Sequence, residues 1–255
     1  MNRSMANSRA VAKLRKTVAL SCRIVGHQGL TRGALGHVSA RIAGTDRVLI
    51  KGKGVNEEAV EFASERDIIT VDLEGRVLQA GRGLEAPNET AMHLAIYRKR
   101  PEVMSVIHTH PDWIVALTAC DKPLLPLYAA YSPAGMKLAV EGIPIYPRSV
   151  TIINRELADD FMKTMGEKKA CLLAGHGMTV AGGSVEEATA TSLHLYELAR
   201  VNAMAYSIGQ PRPISEADIF EYRRRAERSA GPLRESSSRY QSEWRYQLKL
   251  LAKRG

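Results

Sequence analysis

A three-layer α/β/α domain is the fold class the sequence predicts, and three observations carry it. Short apolar strands are interleaved with helical stretches along the chain. At 255 residues, 45% of them hydrophobic and 25% charged, the chain can bury a full core as one domain. No internal repeat is visible, and no apolar run approaches the length of a membrane span.

The elements follow in order. Residues 8–26 place Val11, Leu14, Val18, Cys22 and Val25 at helical spacing and end on Gly26. A loop, HQGLTRGALG, leads to the strands HVSARI and RVLIK, the second running into G-K-G. Ser64 is placed to cap a brief turn before the strand DIITVDL, and Glu74-Gly75 turns the chain into RVLQAG as a hairpin. A helix is expected over 88–99 with Glu89 in its first turn, then a strand through HTH, then a helix opened by Pro111 in its first turn. The strand IPIYP and a helix over 154–165 come next. ACLLAGHG and MTVAGG read as strands around a tight turn, and a long helix covers 185–206. Pro211–Pro213 breaks the chain, and a basic helix is expected near 215–228. After the serines at 236–238, Tyr240, Trp244, Leu248 and Leu251 form one helical stripe.

The stretch VMSVIHTHP carries most of the chemical information. Met104, Val106, His108 and His110 share one parity, so on a strand they line one face and the two imidazoles can converge on one point. Such a pair also suits a packed core. His176, flanked by glycines that let the backbone approach closely, is a candidate third ligand. Glu89 is a candidate fourth ligand or an acid/base beside the metal, and a helix-start carboxylate stabilised by the dipole is its plain alternative.

The ordered motifs are G-H-x-S at 36–39, L-I-K-G-K-G at 49–54, P-N-E-x-x-x-H at 87–93, I-Y-R-K-R-P at 96–101, H-T-H-P at 108–111 and G-H-G at 175–177. Together they resemble the class II aldolase/adducin family from about Ala10 to Ile208. The resemblance implies a mainly antiparallel central sheet flanked by helices, one divalent metal per subunit, and a homotetramer with active sites at subunit interfaces. It places the metal ligands on His108, His110 and His176 and the catalytic carboxylate on Glu89. His37 stands where the family's sugar-phosphate aldolases carry a substrate-binding Asn, so it is either a substrate or proton contact or a structural residue. Tyr128, with Tyr131 as alternative, matches the position of a tyrosine proton donor supplied by a neighbouring subunit. His93 is read as packing beside the site.

The departures from the family pattern bear on substrate. Pro87-Asn88 and Lys51-Gly52-Lys53-Gly54 replace the hydroxyl residues that cradle a phosphate in the sugar-phosphate aldolases. Two lysines in a glycine-rich turn suit a carboxylate. Ser39, Lys51, Lys53 and Asn88 are therefore the expected substrate contacts. These variants resemble the family's decarboxylase branch, which implies a hydroxylated aromatic or heteroaromatic dicarboxylate such as 3-hydroxy-2-methylpyridine-4,5-dicarboxylate. An aldolase or epimerase of a non-phosphorylated hydroxycarbonyl compound is the alternative. An adducin-like binding domain is disfavoured, because adducin heads lack the histidine set. Three imidazoles and a carboxylate suit Zn²⁺ and Mn²⁺ alike, and the decarboxylase resemblance favours Mn²⁺.

The formal net charge is +9. Residues 211–255 hold eleven Lys/Arg against six Asp/Glu, a surplus of five, so more than half the excess lies there. No nucleic-acid-binding signature accompanies it, and a basic face of this kind can draw an anionic substrate inward. Residues 1–210 are expected to form the catalytic domain, with 211–255 as its basic helical extension. Residues 1–45 lack any acidic side chain, as a transit peptide would. The same stretch reads as a helix the fold needs, so a cytoplasmic protein is expected. Cys22, Cys120 and Cys171 sit in apolar surroundings and read as buried thiols.

Overall fold

In the computed structural model, which describes residues 3–127, 132–228 and 234–254, an eight-stranded sheet separates two apolar cores. The chain runs α1 (Arg3–His27), β1 (His37–Arg41), β2 (Arg47–Lys51), β3 (Lys53–Gly54), β4 (Ile68–Asp72), β5 (Val77–Gln79), β6 (Leu84–Glu85), α2 (Thr90–Lys99) and β7 (Ser105–Thr109). It continues as α3 (Asp112–Ala119), α4 (Pro133–Glu141), β8 (Ile145–Tyr146), α5 (Arg155–Met165), β9 (Ala170–Leu173), β10 (Gly177–Gly182), α6 (Val185–Ile208), α7 (Glu216–Arg228) and α8 (Arg234–Arg254). The main sheet has the order β5-β4-β2-β1-β7-β10-β9-β8. Every neighbouring pair is antiparallel except β8 with β9. β3 and β6 form a separate ribbon.

Strand alternation sorts the side chains onto two faces of the sheet. Val38, Ala40, Leu49, Ile107 and Val180 face the core shared with α1 and α6, where Val18, Cys22, Leu195 and Ala199 are buried. Val48, Ile50, Val106 and Ala181 face the opposite core, closed by Met92 and Ile96 of α2 and Phe161 and Met165 of α5. Trp244 and Leu251 of α8 join the first core, and burying a side chain of this size stabilises by about 1.5–3 kcal/mol. The expected stripe therefore packs onto the body of the domain. Among the described residues no helix is long and apolar enough to cross a membrane.

Local chemistry explains the turns. Asp72 accepts from the backbone N–H groups of Glu74 and Arg76 at 3.0 and 2.9 Å, which closes the β4–β5 hairpin. Ser64 and Asp67 form a reciprocal capping box on a short 3-10 turn before β4. Several expectations shift. Glu89 occupies the N-cap of α2 instead of its first turn, and Pro111 likewise precedes α3. α4 was hidden by the glycine in its interior, although Met136 and Leu138 give it a buried face. α8 begins before the serines, which lie inside the helix. Cys22 and Cys171 are buried, and burial pushes both thiols up to about 12. Cys120, expected to be buried, is exposed where α3 ends.

Candidate metal centre

The register of three strands brings the imidazoles together. His37 of β1 pairs with His108 of β7, and Thr179 of β10 pairs with His108 from the other side. All three share the sheet face that looks toward α2. β7 ends at Thr109, and His110 follows it directly, with its ring centroid 4.8 Å from that of His108. His176 comes from the β9–β10 turn, where its N–H donates to the Leu173 carbonyl at 3.1 Å. Gly175 takes φ +59°, the left-handed conformation that suits glycine. At Gly177 an added Cβ would lie 2.3 Å from the Thr109 carbonyl oxygen, so only glycine lets this turn close against the His110 segment.

Four ligand atoms converge on one point. His108 Nε2 lies 2.8 Å from His110 Nε2, and His110 Nε2 lies 3.2 Å from His176 Nε2. Glu89 places Oε2 at 3.0 Å from His108 Nε2 and 3.8 Å from His110 Nε2, and Oε1 at 3.7 Å from His176 Nε2. All four donors lie within 4.8 Å of one another. Metal–ligand bonds of about 2.0–2.1 Å in a tetrahedral site put neighbouring donors roughly 3.3–3.4 Å apart, inside the observed spread. Three imidazole nitrogens and a carboxylate this close together form a donor set in which a divalent cation would use every lone pair. The residues fit such an ion.

The surroundings set the protonation the ligands need. Burial, reinforced by the nearby His108, lowers the His176 imidazole to about 4, so it is neutral near pH 7. Burial alone would raise the Glu89 carboxyl. The imidazoles of His108, His110 and His176 outweigh it and hold Glu89 below the ordinary carboxylate range. Glu89 Oε1 also accepts from the Ile152 N–H at 3.2 Å. His108 Nδ1 lies 3.1 Å from Thr179 Oγ1, and with Nε2 given to a bound cation it would carry the proton and donate to that oxygen. The Thr179 hydroxyl then donates to Met92 Sδ at 3.2 Å. Thr179 thus fixes the His108 tautomer, as outer hydrogen bonds do at metal sites. Only its cross-strand pairing reveals it, since nothing in the local sequence marks it.

The other expected site residues divide. His37 is half-buried and stacks on His108 with ring centroids 6.0 Å apart and an interplanar angle of 17°. Lys53 and Asn88 meet, with Lys53 Nζ donating to Asn88 Oδ1 at 2.7 Å and pairing with Glu85 at 3.1 Å, beside Glu89. Ser39 is fully buried, and its hydroxyl is 2.8 Å from both His93 Nδ1 and Tyr97 Oη. It therefore supports His93, in place of the substrate contact expected. Lys51 also departs from the substrate contact expected. It shares the parity of Leu49, points to the α1 side of the sheet, and is buried with Nζ 3.1 Å from Glu57 Oε2 and 3.0 Å from the Gly52 carbonyl. It is on the wrong face to meet a substrate at the histidines. Tyr128 and Tyr131 lie outside the described residues.

His93 is fully buried, and burial, with His108 nearby, pushes its imidazole down to about 3. Above pH 6.5 neither folded nor unfolded chain protonates it. Below that, the unfolded chain takes up a proton that the folded chain refuses, so stability falls with pH until about 3. At pH 5 this costs about 2 kcal/mol. Denaturant unfolding of metal-free protein at pH 7 and 5 should show wild type losing that much more than His93→Gln. Equal losses would count against the buried neutral imidazole.

The chain is similar to known proteins over most of its length. Residues 16–203 match the family described as Class II Aldolase and Adducin N-terminal domain. The 3,4-dihydroxyphthalate decarboxylase of Arthrobacter keyseri is 36% identical over 214 residues, covering 82% of this chain and 86% of that protein. The enzyme of the same name from Terrabacter sp. strain DBF63 is 38% identical over 197 residues, covering 76% and 82%. An L-fuculose phosphate aldolase of Escherichia coli is 26% identical over 202 residues, covering 79% and 88%. Among solved structures, an aldolase II superfamily protein from Pseudomonas syringae superposes with a TM-score of 0.81 at 21% identity, covering 96% of this chain and 94% of that one. At that identity the likeness speaks to the fold alone.

Proposed function

The chain belongs to the class II aldolase and adducin family, and on that premise we propose that it is a divalent-metal-dependent carbon–carbon lyase that decarboxylates a hydroxylated aromatic dicarboxylate. The convergence of three imidazole nitrogens and Glu89 on one point carries the reading. The similarity to enzymes named 3,4-dihydroxyphthalate decarboxylase supports the substrate class. When bound, the divalent ion supplies Lewis-acid polarisation and a template for a ring hydroxyl and its neighbouring carboxylate. Mn²⁺ is the ion we favour, with Zn²⁺ compatible with the same donors. We further propose a homotetramer with the site at subunit boundaries, on the strength of the family resemblance.

The chain's own groups account for the remaining tasks. Cleavage leaves the bonding pair on the ring carbon, CO2 departs, and one proton must replace it. Glu89, buried and held by the Ile152 N–H, is the acid/base: it takes the ring hydroxyl proton and passes it to the carbon that lost CO2, and a proton from solvent then restores the hydroxyl. His37, stacked beside His108 on the α2 face of the sheet, is the substrate or proton contact, and Tyr128 is the second candidate donor. The Lys53–Asn88 pair, next in sequence to Glu89, is the group we assign to the carboxylate that is retained. An aldolase of a non-phosphorylated hydroxycarbonyl compound is the second reading, favoured by the identity to sugar-phosphate aldolases over most of the chain.

Competition kinetics separates the two. Aromatic ortho-hydroxy dicarboxylates should be turned over with release of CO2 and should outcompete sugar phosphates of similar size. Lys53→Met should lower kcat/KM for the dicarboxylate by about 10- to 100-fold, the scale of one charge-assisted contact. Cleavage of fuculose or ribulose phosphate with no CO2 from any dicarboxylate would replace the decarboxylase by the aldolase.

A further inference from the structure

Three ring nitrogens at the metal centre are shut off from solvent and have no hydrogen-bond partner among the described residues, His37 Nδ1, His93 Nε2 and His176 Nδ1, and the first two belong to rings outside the ligand set. Native folds satisfy nearly all such atoms, and an unmet one costs about 1–3 kcal/mol, so each marks a place where a guest is expected. The two rings are neighbours, with centroids 5.9 Å apart at an interplanar angle of 72°. They belong to different elements, β1 and α2, and both abut the face that carries His108.

His93 is held firmly. Ser39 Oγ sits 2.8 Å from its Nδ1, 2.8 Å from Tyr97 Oη and 3.3 Å from the Val106 carbonyl oxygen, and all of these groups are buried. A neutral imidazole has one donor and one acceptor nitrogen. With Nδ1 committed to Ser39, the other role falls to Nε2 and is unspent. A position needing only to fill the core would be served by an apolar side chain, and one needing only to anchor Ser39 would not require a second nitrogen.

We propose that His93 is a positioning residue of this site, holding through Nε2 one water molecule that it shares with His37 Nδ1. A buried water takes two or more polar partners, and two imidazole nitrogens on adjoining rings supply that minimum. The water fixes the ring of His37, whose ring contacts among the described residues are the stacking on His108 and the edge of His93. The kinetic consequence rests on the decarboxylase reading above. The water does not.

The test uses the full-length metal-loaded protein and two variants that divide the imidazole. Asn in place of His93 puts its amide near the former Nδ1 and can keep the Ser39 bond, whereas Gln reaches the former Nε2 position. His93→Asn should lower kcat about tenfold or more while KM changes less than about twofold, and His93→Gln should restore most of the loss, the scale seen for outer-layer support of metal sites. In crystal structures of the loaded proteins, a water should lie about 2.7–3.2 Å from both nitrogens in wild type and be missing in His93→Asn. The reverse order of variants, with Asn active and Gln impaired, would overturn the proposal, because it would make anchoring of Ser39 the whole role. Absence of the bridging water in wild type would overturn it too. Failure of every dicarboxylate to react would remove the decarboxylase reading and leave the crystallographic result to decide the water.

Discussion

The double variant His108→Ala/His110→Ala is expected to lose stoichiometric divalent metal, and all turnover with it, while remaining folded. Both nitrogens belong to the four-atom cluster, and they lie 2.8 Å apart. A four-ligand ion bound with about 10–16 kcal/mol draws roughly 3 kcal/mol from each donor, so removing two should weaken affinity by about 10⁴-fold. The fold should survive, because Val106 and Ile107 of the same strand are packed in opposite cores and do not depend on the imidazoles. Elemental analysis after desalting checks the loss, and circular dichroism checks the fold. Stoichiometric metal retained by the double variant would place the ion elsewhere.

Glu89→Gln carries the second large effect. Gln keeps the side chain's size and can still accept the Ile152 N–H through its Oε1. What it lacks is a titrating oxygen at the cluster, where His108 lies 3.0 Å away. The variant should fold like wild type and lose about 10²-fold or more in kcat, the usual scale for removing a general acid/base. Steady-state kinetics with metal held saturating separates this from weaker metal binding. A kcat near that of wild type would mean that Glu89 serves only to hold the ion or the helix start.

Much of this site could be read from sequence, because the relevant geometry is local. His108 and His110 share parity on a strand that ends between them, and the glycines around His176 mark a turn that must approach another backbone. Glu89 announced itself through its motif, and its displacement to the N-cap moved it by less than a helical turn. The surroundings of Lys51 and Ser39 are set by contacts outside their own strands. Parity fixes which residues of a strand share a face, but the face each layer receives depends on pairing between β1, β2 and β7. Ser39 therefore turned out to meet α2, 54 residues later in the chain, and Lys51 turned out to meet Glu57. Thr179 was illegible for the same reason, since its role comes only from lying across from His108. The Lys53–Asn88 pairing, 35 residues apart, also depends on how the β3–β6 ribbon closes.

Titration of a divalent cation, Mn²⁺ first, into metal-free protein, with bound metal and CO2 release from an aromatic ortho-hydroxy dicarboxylate followed together, tests the central claim most directly. Activity should rise in proportion to occupancy and reach its plateau at one ion per subunit, and His108→Ala should abolish both signals. CO2 release that persists without metal, or a fully occupied site that releases none from any such dicarboxylate, would contradict it.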